Sequence, residues 1–357
     1  MSDNSFQKAS SYTKRGLKDE ASRVAQMLGV SLPSDGDIIK EEQQRYNENI
    51  SLNEIVDTMK SKGMRISERF IRRYHLSLIN KGFVILSGVS GTGKTWLTEL
   101  YALSVGAELL IVPVAPNWTS NEDLLGFFNP LDNLYRHTDF SRFLKKAQNE
   151  YIKSLEEKRP PRPYHIVLDE MNLARVEYYF ATFLSLLEIR NRGGKASIVI
   201  PPDDQVILTP NLFFIGTINV DETTHGFADK VYDRAQLIEV QIDKNDIQEA
   251  IGKEQYGETI MQIWETIHEI APFAYRVIGD IKEYILDSNK LGVQWQESLD
   301  EQVLQKILPK VKIIDIEDES KIIELKNILE SAELELSLQK VEKMLERYSN
   351  YGVATYF

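Results

Sequence analysis

Apolar positions along this chain change their rhythm three times, and the changes mark its organisation. Residues 1 to 66 are mostly polar, with one short helical pattern at Leu52, Ile55, Val56 and Met59. From Ser67, Phe70, Ile71, Tyr74 and Leu78 recur at helical spacing, Lys81-Gly82 supplies a stop, and the run Phe83-Val84-Ile85-Leu86 reads as a buried strand. The spacing then predicts a helix over 96–105, a strand over 109–114, a helix over 140–157, a strand over 165–168, a helix over 176–189 and a strand over 212–217. Alternating helices and continuous apolar strands imply a parallel sheet covered on both faces. Between the last helix and strand, Asn191-Arg192-Gly193-Gly194 lies among short β-prone pieces and predicts an inserted hairpin. Beyond residue 241 strand-like runs become scarce, and Ile247, Ile251, Ile260, Ile263 and Ile267 keep helical spacing. Near the end, Ile322, Leu325, Leu329, Leu336 and Leu345 among many Glu and Lys residues predict amphipathic helices packed within their own domain. Three segments follow: a polar helical segment 1–66, an α/β domain 67–241 and an α-helical domain 242–357.

The strongest chemical signal falls between the first strand and the helix after it. Gly88-Val89-Ser90-Gly91-Thr92-Gly93-Lys94-Thr95 fits the pattern G-x-x-x-x-G-K-[ST], and Trp96 continues the helix start. Glycines let the backbone wrap a phosphate chain, amides at a helix N-terminus point at it, Lys94 reaches the outer phosphates, and Thr95 offers its hydroxyl to Mg²⁺. Gly88 to Trp96 are therefore the expected nucleotide contacts. An apolar strand, His165-Ile166-Val167-Leu168, ends in Asp169 and Glu170. Asp169 is the expected metal carboxylate, and Glu170 the group that polarises the attacking water. Asn219, at the tip of Phe213-Phe-Ile-Gly-Thr-Ile-Asn219, is placed to orient that water; taken alone it equally fits a residue satisfying turn amides. Arg234 follows at the right remove for an arginine finger, with pairing to Asp229 or Asp233 as the alternative.

Composition narrows the partners. Cysteine is absent, which removes disulfides, thiolate zinc sites and thiol nucleophiles, and fits a reducing compartment. With neither an apolar leader nor a run long enough to span a bilayer, the chain is expected in the cytoplasm. A net charge of -12 argues against coating nucleic acid with the whole surface. Arg69, Arg72 and Arg73, and the turn with Arg190, Arg192 and Lys195, are the local clusters that could touch DNA, although solvated faces explain such clusters more often.

The phrases Gly88–Thr95, Leu168-Asp-Glu-Met-Asn-Leu-Ala-Arg-Val-Glu-Tyr-Tyr-Phe180 and Asn211-Leu-Phe-Phe-Ile-Gly-Thr-Ile-Asn219 resemble the McrB-like branch of AAA+ proteins, the motor subunits of modification-dependent restriction systems. The resemblance implies a hexameric ring with nucleotide at subunit interfaces, ATP or GTP as substrate with Mg²⁺, a helical lid, and a McrC-like nuclease as partner. It also makes Arg276, in Tyr275-Arg276-Val277, a candidate phosphate contact from the lid. Asn219 is followed by Val-Asp221-Glu222 where GTP-using members resemble Asn-Thr-Ala-Asp-Arg-Ser, so GTP preference does not carry over. Two readings from other classes stand beside this one: a MoxR-like chaperone acting on protein clients, and a nucleotide-gated scaffold.

Overall fold

A computed structural model describes residues 51–64, 66–194, 196–200, 204–220 and 225–357. Most of the polar segment 1–66, and also Lys195, Asp221 and Glu222, lie outside the described residues. The chain divides into two compact units, one holding residues up to Ser87 with Lys94–Glu239, the other holding Gly88–Gly93 with Val240–Phe357.

In the first unit, nine strands among the described residues form one five-stranded sheet and two hairpins. The strands are β1 (Phe83–Gly88), β2 (Glu108–Pro113), β3 (Gly126–Asn129), β4 (Leu134–His137), β5 (Tyr164–Asp169), β6 (Ser197–Ile200), β7 (Asp204–Ile207), β8 (Leu212–Asn219) and β9 (Gln236–Glu239). The sheet runs β2-β5-β8-β1-β9, with every pairing parallel. Its centre is apolar for the reason the sequence predicts: helices cover both faces, so β1 is buried throughout and β5 nearly so. On one face the rings of Phe83, Phe140, Phe180, Phe183 and Phe214 pack together, Phe180 and Phe183 stacked with centroids 5.2 Å apart. On the other, His165 stacks on Tyr101 and meets the edge of Phe213. Burial lowers the His165 pKa to about 3, so the ring stays neutral inside the sheet.

The inserted hairpin predicted after the last helix of the domain is β6–β7. Three elements differ from the pattern reading. The helix expected over 176–189 is two, Val176–Tyr179 and Ala181–Asn191, broken at Phe180, whose backbone (φ -110) leaves the helical range while its ring is anchored in the aromatic cluster. A second hairpin, β3–β4, occupies a region with no legible period, and β9 adds an edge strand of four residues beside β1.

Of the basic turn that could touch DNA, Arg190 is withdrawn from the surface, while Arg192 stays exposed. Arg190 is buried, and its Nη1 donates to the carbonyls of Leu212 (2.8 Å) and Thr209 (3.2 Å). Gly82 ends the preceding helix in the left-handed region (φ 67), and a Cβ there would lie 2.1 Å from Arg190 Nη2, so glycine and arginine fit each other. Arg192 pairs with Glu188. Arg69, Arg72 and Arg73 remain exposed on the helix Glu68–Lys81.

The second unit is helical apart from a two-stranded ribbon, β10 (Lys312–Ile313) with β11 (Ala354–Thr355). Ile322, Leu325 and Leu329 are buried as the amphipathic pattern predicts, whereas Leu336 is 47% exposed at a helix start. That start, the first turn of Glu335–Tyr351, is capped from another helix. Buried Asp300 accepts from the amides of Leu336 (2.7 Å) and Ser337 (2.8 Å), and Ser337 Oγ donates back to the Asp300 carbonyl (3.0 Å). Replacing Asp300 with Ala therefore leaves one buried and one part-buried amide without their partner and removes a charge favoured at a helix N-terminus. The expected loss is about 2 kcal/mol, read in urea unfolding of the helical unit. An unchanged midpoint would show the cap to be dispensable.

Candidate active site

The loop between β1 and the helix Lys94–Ser104 has the backbone its glycines demand. Gly91 and Gly93 stand in the left-handed region at φ 82 and 84, which a side chain would resist. Thr92 closes the turn by donating its amide to the Val89 carbonyl, and Lys94, at the helix start, is 6% exposed. Trp96, expected among the nucleotide contacts, is 41% exposed, and its ring tip lies toward Gly63, where an added Cβ would be 3.9 Å away. It thus has its backbone to give the helix N-terminus, and its ring serves the turn at Gly63.

Within the second unit, Arg276 begins the helix Tyr275–Lys290, and its amide donates to the Gly91 carbonyl at 3.4 Å. A Cβ on Gly91 would sit 3.0 Å from that of Arg276. The structure thus brings the lid candidate beside the glycine loop, leaving Arg276 itself exposed.

At the C-terminal ends of β5 and β8, Asp169, Glu170, Thr217 and Asn219 form one hydrogen-bonded chain in the first unit, joined at one end by Thr95. Thr95 Oγ1 donates to Asp169 Oδ1 at 2.6 Å. Thr217 Oγ1 donates to the same oxygen at 2.7 Å and accepts from the Glu170 amide at 2.9 Å. Asn219 Nδ2 donates to Glu170 Oε1 at 3.0 Å. The register explains the meeting: Leu168 is level with Gly216, so the next step along both strands sets Asp169 beside Thr217. Gly216 is itself fixed by packing, since a Cβ there would lie 2.0 Å from Met171 Sδ. Tyr179 secures the same turn by donating to the Met171 carbonyl at 2.9 Å, and burial pushes its phenol up, so the donor stays protonated.

A hydroxyl and a carboxylate sharing a proton at 2.6 Å form a hard-oxygen donor set, which fits Mg²⁺. Among the described residues no group of three or more His, Asp or Glu side chains is placed to hold a metal. A cavity of about 570 Å³ lies elsewhere, in the helical unit beside Tyr256 and Trp295, and none of these residues lines it.

Arg234 is not joined to this chain of bonds. Instead of Asp229 or Asp233, its partner is Glu188 of the helix Ala181–Asn191, and Nη1 donates to the Lys230 carbonyl at 2.9 Å. Glu188 holds Arg192 as well.

Thr217, which joins Asp169 to the Glu170 amide, is the member of this hydrogen-bonded chain that the sequence reading missed. The signal was present: a polar residue in an apolar strand, two before Asn219 and hence on the same face.

Two family models match the chain. Residues 83–235 match that of the AAA domain of the dynein-related subfamily, and residues 238–353 match a domain of unknown function. No curated protein matches it. Fold, loop and match agree: the chain carries an AAA+ P-loop α/β fold followed by a helical region, and with it the general character of a P-loop nucleoside triphosphatase. Among the described residues no helix is long and apolar enough to cross a membrane.

Proposed function

We propose that this chain, whose residues 83–235 carry an AAA+ domain, is the motor of a ring-forming assembly that hydrolyses ATP or GTP, in the manner of the McrB-like subunits it resembles. The observation that carries the proposal is the bond between Thr95 and Asp169, which ties the end of the glycine loop to the acidic end of β5 across 74 residues of sequence. Lys94 and the loop amides hold the phosphates, Arg276 lies beside Gly91 of that loop, and Thr95 and Asp169 are the residues that would hold Mg²⁺. Bound there, the ion would neutralise charge on the phosphoryl oxygens. Glu170 accepts the proton of the attacking water, and Asn219 keeps that carboxylate oriented through Oε1. Arg234 of one subunit completes the site of its neighbour, and a McrC-like nuclease is the partner driven by the cycle.

One observation favours a second reading, a MoxR-like remodeller of protein clients. The hairpin β3–β4 exposes Phe127, Phe128, Leu131 and Leu134, more apolar surface than a solvated hairpin needs, while burial of Arg190 and pairing of Arg192 shrink the basic surface for DNA. Phosphate release with ATP and with GTP, each with and without double-stranded DNA, separates the two. DNA stimulation supports the restriction motor; stimulation by an unfolded protein client alone supports the remodeller; no release with either nucleotide from assembled protein sinks both.

A further inference from the structure

We infer that Thr217 is a positioning residue of the hydrolysis site, whose hydroxyl sets the orientation of Asp169 and the backbone of Glu170 at once. The inference rests on the nucleoside triphosphatase reading and adds to it a residue that acts through Asp169 and Glu170.

Three observations carry it. Thr217 is 1% exposed, so its hydroxyl has no bulk water to fall back on. The Glu170 amide has only a proton to give, so Thr217 Oγ1 accepts there at 2.9 Å, and its own proton must go to Asp169 Oδ1 at 2.7 Å. The direction of both bonds is therefore fixed by chemistry and not by choice of rotamer. Finally, Glu170 stands at φ 52, ψ 46, a left-handed conformation that a residue with a Cβ adopts at a cost. The bond from its amide to Thr217 holds that conformation, and the conformation turns the Glu170 side chain back to Asn219 on β8. Asp169 is anchored from two sides, by Thr95 of the loop and Thr217 of the neighbouring strand, and both bonds fall on Oδ1. Taking away the Thr217 hydroxyl releases one anchor of the carboxylate and the partner of the Glu170 amide, both without touching the nucleotide loop, and leaves the strained backbone held only on its carbonyl side, where Leu173 donates to Glu170 at 2.9 Å.

The test compares Thr217→Val, which keeps the shape and removes the hydroxyl, with Thr217→Ser, which keeps the hydroxyl. Circular dichroism checks that both fold, and Thr217→Ala replaces the valine variant should it fail. The expected result is a fall of kcat by about 10- to 100-fold in Thr217→Val with KM within about threefold, and recovery to within about threefold in Thr217→Ser. A second readout needs no turnover: affinity for a fluorescent analogue of ADP or GDP, with Mg²⁺ and with EDTA. Thr217→Val should lower the Mg²⁺-dependent gain in affinity several-fold and leave affinity in EDTA unchanged. Wild-type kcat in Thr217→Val, a serine variant no better than valine, or equal loss of affinity in Mg²⁺ and EDTA would each overturn the inference. A wild-type chain that binds nucleotide but releases no phosphate would sink the hydrolysis reading, and the Mg²⁺ comparison would still decide the role of Thr217.

Discussion

Glu170→Gln leaves nucleotide bound and stops its turnover: kcat is expected to fall about 10²- to 10⁴-fold while affinity stays within about threefold of wild type. The substitution is well suited to this site. Gln keeps an oxygen where Asn219 Nδ2 now donates to Glu170 Oε1, so the bond to β8 survives and the side chain keeps its place. What disappears is the negative charge and with it the ability to take a proton. The backbone bond from residue 170 to Thr217 is untouched, since it uses the amide. Steady-state phosphate release alongside binding of a fluorescent nucleotide reads the split. A variant that turns over at the wild-type rate would remove Glu170 from the chemistry and leave Asp169 to be reconsidered as the base.

Arg234→Ala is expected to cost about 10³-fold or more in kcat at protein concentrations where the chain assembles. Its loss also breaks a pair with Glu188, and this structural effect has to be kept apart from the catalytic one. Both side chains are partly exposed, at 24% and 31%, and Glu188 retains Arg192, so the structural cost is small, about 1 kcal/mol or less. Mixing gives the decisive reading. An Arg234→Ala subunit still has Glu170, and a Glu170→Gln subunit still has Arg234. Two inactive variants combined in equal amounts should then regain activity, because about a quarter of the interfaces in a cyclic assembly pair an intact site with an intact finger. Mixtures as inactive as either parent would return Arg234 to a purely structural role beside Glu188. In the isolated chain that pairing already accounts for its position, so assembly must draw the guanidinium away from Glu188 for the finger to act.

The elements of the nucleotide loop were legible because their determinants are local. An apolar run, three glycines, Lys94 and Thr95 in eight consecutive positions specify strand, turn and helix without reference to the rest of the chain, and the structure differs from that reading by a residue or two at the ends. The same holds for the strand ending at Asp169, and for the helical character of the chain past residue 241, where apolar residues keep a 3.6 period. Short, half-exposed elements were not legible. Strand β9 has one buried residue in four, and β3 presents Phe127 and Phe128 to solvent, so neither carries the alternation that marks a strand.

What tertiary structure alone decided is who meets whom. Sequence placed an Asp, a Glu and an Asn at strand ends. The order β5-β8 in the sheet and the register of Leu168 with Gly216 put Thr217 between the Asp and the Glu and the Asn on the Glu carboxylate, across separations of 47 to 49 residues. Arg190 and Arg234 were equally open in the sequence, since a cation reads the same whether solvated, buried or paired. Packing sent one under Gly82 to serve two carbonyls and the other onto Glu188. Periodicity is a property of neighbours along the chain and survives in the sequence; a hydrogen-bond partner is chosen by the sheet order and by what remains unsatisfied once the core has closed.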